Sequence, residues 1–239
     1  MNSGKKSRVL DLGYRDRSDA GAALGKDLLK RRDWDDPVIL ALPRGGVPVA
    51  AEVARLLEAP LDILVVRKIG HPLHEEFAIG AIASGGTLVM NNRSAADVSR
   101  ADIERIVARE RDELQRREKL YRGNHPAIPV EGREAIIVDD GLATGATMRA
   151  AVQAIRQLQP SRVTVAVPVG ARESSEALEA VADDVVCVRT PEPFNAVGSW
   201  YSEFPQVSDD EVRSVLATAY EYMASRPGHL TEVSRSERS

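Results

Sequence analysis

Short runs of branched aliphatic residues, each closed by turn residues and most followed by an apolar pattern of helical period, constrain this chain more than any other feature. The run 38–42 stops at Pro43-Arg44-Gly45-Gly46, after which Val47, Val49, Ala50, Val53, Ala54, Leu56 and Leu57 mark one helix face that ends before Pro60. A second run covers 61–66 and a third 135–138. Met148, Ala151, Val152, Ile155 and Leu158 then trace a helix terminated by Pro160. Strand 163–169, helix 174–182 and strand 185–188 continue the alternation. Repeated strand, turn and helix is the pattern of βαβ units in a parallel sheet. Composition agrees, because 43% apolar residues with only 4% aromatics supply Val, Ile, Leu and Ala for a sheet covered on both faces. The predicted class is α/β, an open and mostly parallel sheet flanked by helices.

Other segments are read around that frame. Ala22, Leu24, Leu28 and Leu29 behind Asp19 as N-cap predict an opening helix over 19–31. Runs 78–83 and 87–90 about Ser84-Gly85-Gly86 predict a hairpin. From 94 to 121 charges alternate around a narrow stripe of Ile103, Val107, Leu114 and Tyr121, which predicts a long solvated helix seated on its own chain or on a second subunit. Beyond Thr190 the segment 191–208 is irregular and fits a lid, a last helix covers 209–223, and residues 226–239 are expected to be a disordered tail. One domain over 1–225, with its core at 19–190, is expected.

Several function classes are excluded. A net charge of −4 with no polybasic block argues against nucleic acid as partner. No apolar run approaches the roughly 18 residues that a membrane-spanning helix requires. The N-terminus lacks the apolar stretch of a secretory signal, so a cytoplasmic location is expected. Cys187, the single cysteine, lies in an apolar run and is expected to be buried and without chemistry.

Chemistry concentrates in Ile136-Ile137-Val138-Asp139-Asp140-Gly141-Leu142-Ala143-Thr144-Gly145-Ala146-Thr147. The aliphatic residues form a buried strand, and two carboxylates stand where it leaves the sheet, the edge at which open α/β folds bind ligands. Gly141, Ala143, Gly145 and Ala146 are too small to block approach to the main chain, and Thr144 and Thr147 add hydroxyls. The next helix turns its free N–H groups and positive dipole end toward this turn, which suits a terminal phosphate. Asp139 and Asp140 would repel a phosphate but accept hydrogen bonds from sugar hydroxyls. Together they describe a ribose 5-phosphate site. A P-loop is excluded because no lysine follows Gly145, and no Gly-x-Gly-x-x-Gly follows a strand.

Two hydrophobics, Val, Asp, Asp, three residues, Thr, Gly, x, Thr resembles the signature of type I phosphoribosyltransferases. Tyr14-Arg15-Asp16-Arg17-Ser18-Asp19-Ala20-Gly21, Leu42-Pro43-Arg44-Gly45-Gly46-Val47-Pro48-Val49-Ala50, Val66-Arg67-Lys68-Ile69-Gly70 and Pro191-Glu192-Pro193-Phe194 are similar to a bacterial branch of that family whose acceptor is unassigned. The resemblance implies 5-phosphoribosyl-1-pyrophosphate as co-substrate, with Mg²⁺, transferred to a nitrogen heterocycle. It implies pyrophosphate held by Arg44, Gly45 and Gly46, and a mobile hairpin loop from which Lys68 and Arg67 neutralise the leaving group. Asp140 with Asp139 would orient the ribose hydroxyls, directly or through the metal. Residues 191–208 would form a hood in which Phe194, Trp200 or Tyr201 meets a planar acceptor. His71 and His74 are expected to be exposed loop residues, and a homodimer acting on small molecules is expected. The alternative is a non-catalytic protein that binds the same ribose-phosphate and regulates a partner.

Overall fold

The computed structural model describes residues 13–91 and 94–225. The extreme N-terminus and the segment 226–239 expected as a tail lie outside them. The helices are α1 (Arg17–Arg31), α2 (Gly46–Leu57), α3 (Arg100–Arg122), α4 (Ala146–Arg156), α5 (Arg172–Glu179) and α6 (Asp209–Ala224). The strands are β1 (Pro37–Ala41), β2 (Leu61–Ile63), β3 (Val66–His71), β4 (His74–Ala83), β5 (Thr87–Met90), β6 (Glu134–Val138), β7 (Arg162–Val169) and β8 (Asp184–Arg189).

Five strands form a wholly parallel sheet in the order β2-β1-β6-β7-β8, as the apolar runs predict. Continuous apolar strands are consistent with burial on both faces. Ile39, Ala41, Ile136 and Val138 face a core shared with α1, α2, α3 and α6, while Val38, Leu40, Ala135 and Ile137 face α4 and α5. The chain builds outward from β1 to β2 in one direction and from β6 through β8 in the other. The order therefore reverses between β1 and β6, and the crevice outside their carboxyl ends is where such sheets take ligands. Leu42 N–H donates to Val138 O at 2.9 Å, so the loops leaving these two strands run side by side.

The predicted run 61–66 divides. β2 ends at Ile63, Leu64 N–H makes a last bond to Ala41 O, and β3 begins a second, antiparallel sheet of order β3-β4-β5. Arg67 and Lys68, expected in a mobile loop, lie in β3, where Lys68 pairs with Ala81. Arg-Lys-Ile-Gly-His carries no clear apolar alternation, and its strand state comes from the ladder that β4 offers. The predicted hairpin is present as β4–β5.

Helix termini also shift. Asp16, not Asp19, caps α1 by accepting Asp19 N–H at 2.8 Å, while Asp19 accepts Arg15 N–H at 3.1 Å. Capping at Asp16 turns Ala20, Gly21, Leu24, Gly25 and Leu28 inward and leaves Leu29 exposed. Gly21 is required by closeness, since a Cβ there would stand 2.5 Å from Val49 O of α2. α3 starts at Arg100 behind a Ser99 cap, and Val107, Leu114 and Tyr121 pack within the chain, against α6 and β3 among others. Its C-terminal end is pinned by Arg122, whose guanidinium donates to the buried Asp62 at 2.7 Å. Cys187 is only partly buried. No described helix is long and apolar enough to cross a membrane.

Candidate active site at the sheet switch point

The two carboxylates leave β6 in the switch-point crevice. Asp139 Oδ1 accepts Asp140 N–H at 2.8 Å, which fixes the turn between them. Burial pushes the Asp139 carboxyl well above the ordinary carboxylate range, and the neighbouring Asp140 pushes it further. Burial likewise raises Asp140, opposed by Arg17. Two recessed carboxylates side by side are costly when both are ionised, and hydroxyl donors or a cation relieve that cost.

The loop after β1 closes on them. A Cβ on Gly45 would overlap Asp140 Oδ2, and one on Gly46 would stand 2.7 Å from Val138 O and 3.0 Å from Asp139 Cα. Glycine at both positions is thus what allows the two loops to meet. The Pro43–Arg44 peptide is cis. On the other side Gly145, at φ 72°, caps α4 without a capping side chain, so the first-turn N–H groups stay open to an anion. Ala143, Thr144, Ala146 and Thr147 are exposed around that turn, and Ser174 Oγ donates to Ala143 O at 2.5 Å. Gly141 lies under the hood, where a Cβ would be 2.5 Å from Val197 Cγ1.

Arg17 lies in a stretch that carries the resemblance, which assigns it no role, yet it is built into the site. Its Nε donates to Asp140 Oδ2 at 2.9 Å, its Nη1 to Pro205 O at 2.7 Å, and Phe204 lies under the guanidinium at 3.8 Å. The pair is 123 residues apart in sequence, and a charged residue in the first turn of a helix carries no local sign of such a partner. The hood is tied to the same residue through its main-chain carbonyl. Tyr201 donates its hydroxyl to Asp140 O at 2.5 Å, and its ring packs between Tyr14 at 5.7 Å and Phe204 at 4.8 Å. Those neighbours occupy the ring that was expected to meet an acceptor. Trp200 is half-buried with its indole N–H unpartnered, and Phe194 packs beside Tyr14 and Tyr201.

The basic residues divide into two groups. Arg44 is 3.5 Å from Asp209, which also accepts the Tyr121 hydroxyl at 2.7 Å. Arg67 is held at 2.7 Å by the buried Glu110 of α3. Lys68 is exposed and shares a cleft with Thr147. His71, expected to be exposed, is buried, because β3 and the following tight turn carry it inward. Its Nδ1 accepts Leu73 N–H at 3.2 Å, and it stacks on the exposed His74 at 5.6 Å. No cluster of three or more His, Cys, Asp or Glu suited to a metal occurs among the described residues.

An open parallel sheet with paired carboxylates, a glycine loop and an uncapped helix N-terminus gathered at its switch point defines the α/β class that binds phosphorylated ligands there. Within that class the chain belongs to the phosphoribosyl transferase domain family, whose match spans residues 17–202. It is 44% identical over 209 residues to a protein of Mycobacterium tuberculosis H37Rv, and equally to its counterpart in strain CDC 1551, both provisionally named phosphoribosyl transferases. The match covers 87% of this chain but 47% of either relative, so the chain spans about half the length of the curated relatives it matches. A crystal structure of a Thermus thermophilus protein shares 44% identity with a TM-score of 0.80 over 86% of this chain and 98% of that one.

Proposed function

We propose that this protein transfers the phosphoribosyl group of 5-phosphoribosyl-1-pyrophosphate to a nitrogen heterocycle and releases pyrophosphate. The observation that carries the reading is the meeting of Asp139 and Asp140 with Gly45 and Gly46 beside the uncapped start of α4. The 5-phosphate would sit on the main chain of Gly141, Ala143, Thr144, Gly145, Ala146 and Thr147, and the 2- and 3-hydroxyls would donate to Asp139 and Asp140. Pyrophosphate would lie on Gly45 and Gly46, with Arg44, Arg67 and Lys68 supplying positive charge. The acceptor nitrogen forms a bond to the anomeric carbon as the bond to pyrophosphate breaks, and the leaving group departs with the electron pair. Catalysis is then positioning and charge stabilisation. Asp140 contributes by steadying positive charge that grows on the sugar ring.

The donor set fits Mg²⁺ in a limited way. Two hard carboxylates with one oxygen each left uncommitted suit an ion that keeps waters and takes further ligands from phosphate. Bound there, the ion would neutralise diphosphate charge. The hood residues Phe194 and Trp200 are our candidates for contact with the acceptor.

The test incubates the protein with the sugar pyrophosphate, Mg²⁺ and a panel of purines, pyrimidines and nicotinic-type acids, and measures pyrophosphate release. Acceptor-dependent release is expected, and binding without release across the panel would favour a regulatory protein instead. If Asp139→Ala with Asp140→Ala leaves sugar-phosphate affinity untouched, the reading fails.

A further inference from the structure

The long charged helix α3 supplies none of the residues placed around the ribose-phosphate, yet its last turn reaches back toward the site. Tyr121 is buried there and donates its hydroxyl to Asp209 Oδ1 at 2.7 Å. That same oxygen stands 3.5 Å from Arg44 Nη1. Asp209 opens α6 behind the Ser208 cap, so the β1–α2 loop, α3 and α6 meet at one carboxylate. Packing fixes the tyrosine ring, the ring's hydroxyl fixes the carboxylate, and the carboxylate faces the guanidinium. Burial, with the Asp209 carboxylate beside it, pushes the Tyr121 hydroxyl up to about 12, so it stays a donor at neutral pH. Its hydrogen bond, followed by the Arg44 charge, holds Asp209 below the ordinary carboxylate range, so the acceptor stays ionised.

The Arg44 and Asp209 side chains keep 35% and 44% of their accessible surface. An ion pair that open contributes little to folding, so its consequence lies in where it holds the arginine. An arginine free to sample its rotamers gives that freedom up on gripping a ligand, and one already anchored loses less. With Nη1 turned to Asp209, the other edge of the guanidinium, Nε and Nη2, can grip two phosphate oxygens. We propose that Asp209 and Tyr121 are positioning residues for the reaction, holding the Arg44 guanidinium ready for the departing pyrophosphate. This gives α3 and α6 a part in the chemistry, and it rests on the assignment of Arg44 to pyrophosphate above.

Calorimetric titration of the full chain with inorganic pyrophosphate and Mg²⁺, and separately with ribose 5-phosphate, tests it. Tyr121→Phe alters no charge and so isolates aim from electrostatics. Tyr121→Phe and Asp209→Asn should each weaken pyrophosphate binding about threefold to tenfold, with ribose 5-phosphate affinity unchanged. Arg44→Ala should weaken it roughly tenfold or more, and in that background the other two substitutions should add nothing, because they act through the guanidinium. Additive losses, or a parallel fall in ribose 5-phosphate affinity, would reduce the pair to a role in folding and overturn the inference. Tighter pyrophosphate binding by Asp209→Asn would overturn it too, by making Asp209 a competitor for Arg44. Unchanged affinity in both variants beside a loss on Arg44→Ala sinks this inference and leaves the assignment of Arg44 standing. No loss on Arg44→Ala sinks both.

Discussion

Replacing Arg17 by methionine should cost about 3 kcal/mol of stability at pH 8, and the cost should shrink as the pH falls. Methionine keeps an apolar stem against Phe204 but removes the guanidinium from a site where the two paired side chains retain only 10% and 16% of their accessible surface. Removing one partner of a buried ion pair costs roughly 3–5 kcal/mol, because the other charge is stranded in a poor solvent. The lower end applies here, since Asp140 can escape by taking up a proton. Burial already raises its pKa, and Arg17 is what opposes the rise. Without Arg17 the folded-state pKa climbs further. The stability gap is thus full above the variant's folded pKa, and it closes as the pH falls below the wild-type folded pKa, where both forms are protonated. For a chain of this size about 3 kcal/mol corresponds to a fall of roughly 6–12 °C in Tm. The bond to Pro205 O is lost on Arg17→Met in both the wild-type and the Asp140→Asn background, so a double-mutant cycle with Asp140→Asn removes its contribution. Urea unfolding at pH 8 should then yield a coupling of about 2–3 kcal/mol, which falls as the pH is lowered and Asp140 takes up its proton. A coupling below about 0.5 kcal/mol at pH 8, or one that does not fall anywhere as the pH is lowered to where the protein still folds, would refute the account of Arg17 as the counter-charge of Asp140.

Three further outcomes are expected. Gly46→Ala forces a Cβ to within 2.7 Å of Val138 O, so overpacking should cost about 1–3 kcal/mol and displace Asp139, which thermal unfolding and a ribose 5-phosphate titration would read together. Tyr201→Phe leaves Asp140 O without its hydroxyl donor and should cost about 1–2 kcal/mol in chemical denaturation, with no change if that carbonyl finds another partner. Burial pushes the Cys187 thiol up to about 11, so at pH 8 alkylation of the native protein should run on the order of a hundredfold slower than after unfolding; equal rates would contradict the burial.

Much of the candidate site was legible in the chain because its pieces are local. A strand, two carboxylates and a run of small residues before a helix are contiguous, and the side-chain period and turn chemistry of 136–147 announce them without any distant partner. The parallel sheet was legible for the same reason, since each apolar run is bounded by residues that break it. What the chain did not disclose is long-range. Arg17 and Asp140, Tyr201 and Asp140 O, and Arg67 and Glu110 meet only when strand order reverses between β1 and β6 and α3 is laid over β3. The ladder that makes β3 a strand, and so turns His71 inward, is supplied by β4 and not by residues 66–71. Local sequence determined which residues carry charge, hydroxyl or small side chains at each turn. Tertiary structure decided which of those charges are matched, because the cost of an unpaired buried charge depends on what the rest of the chain brings beside it.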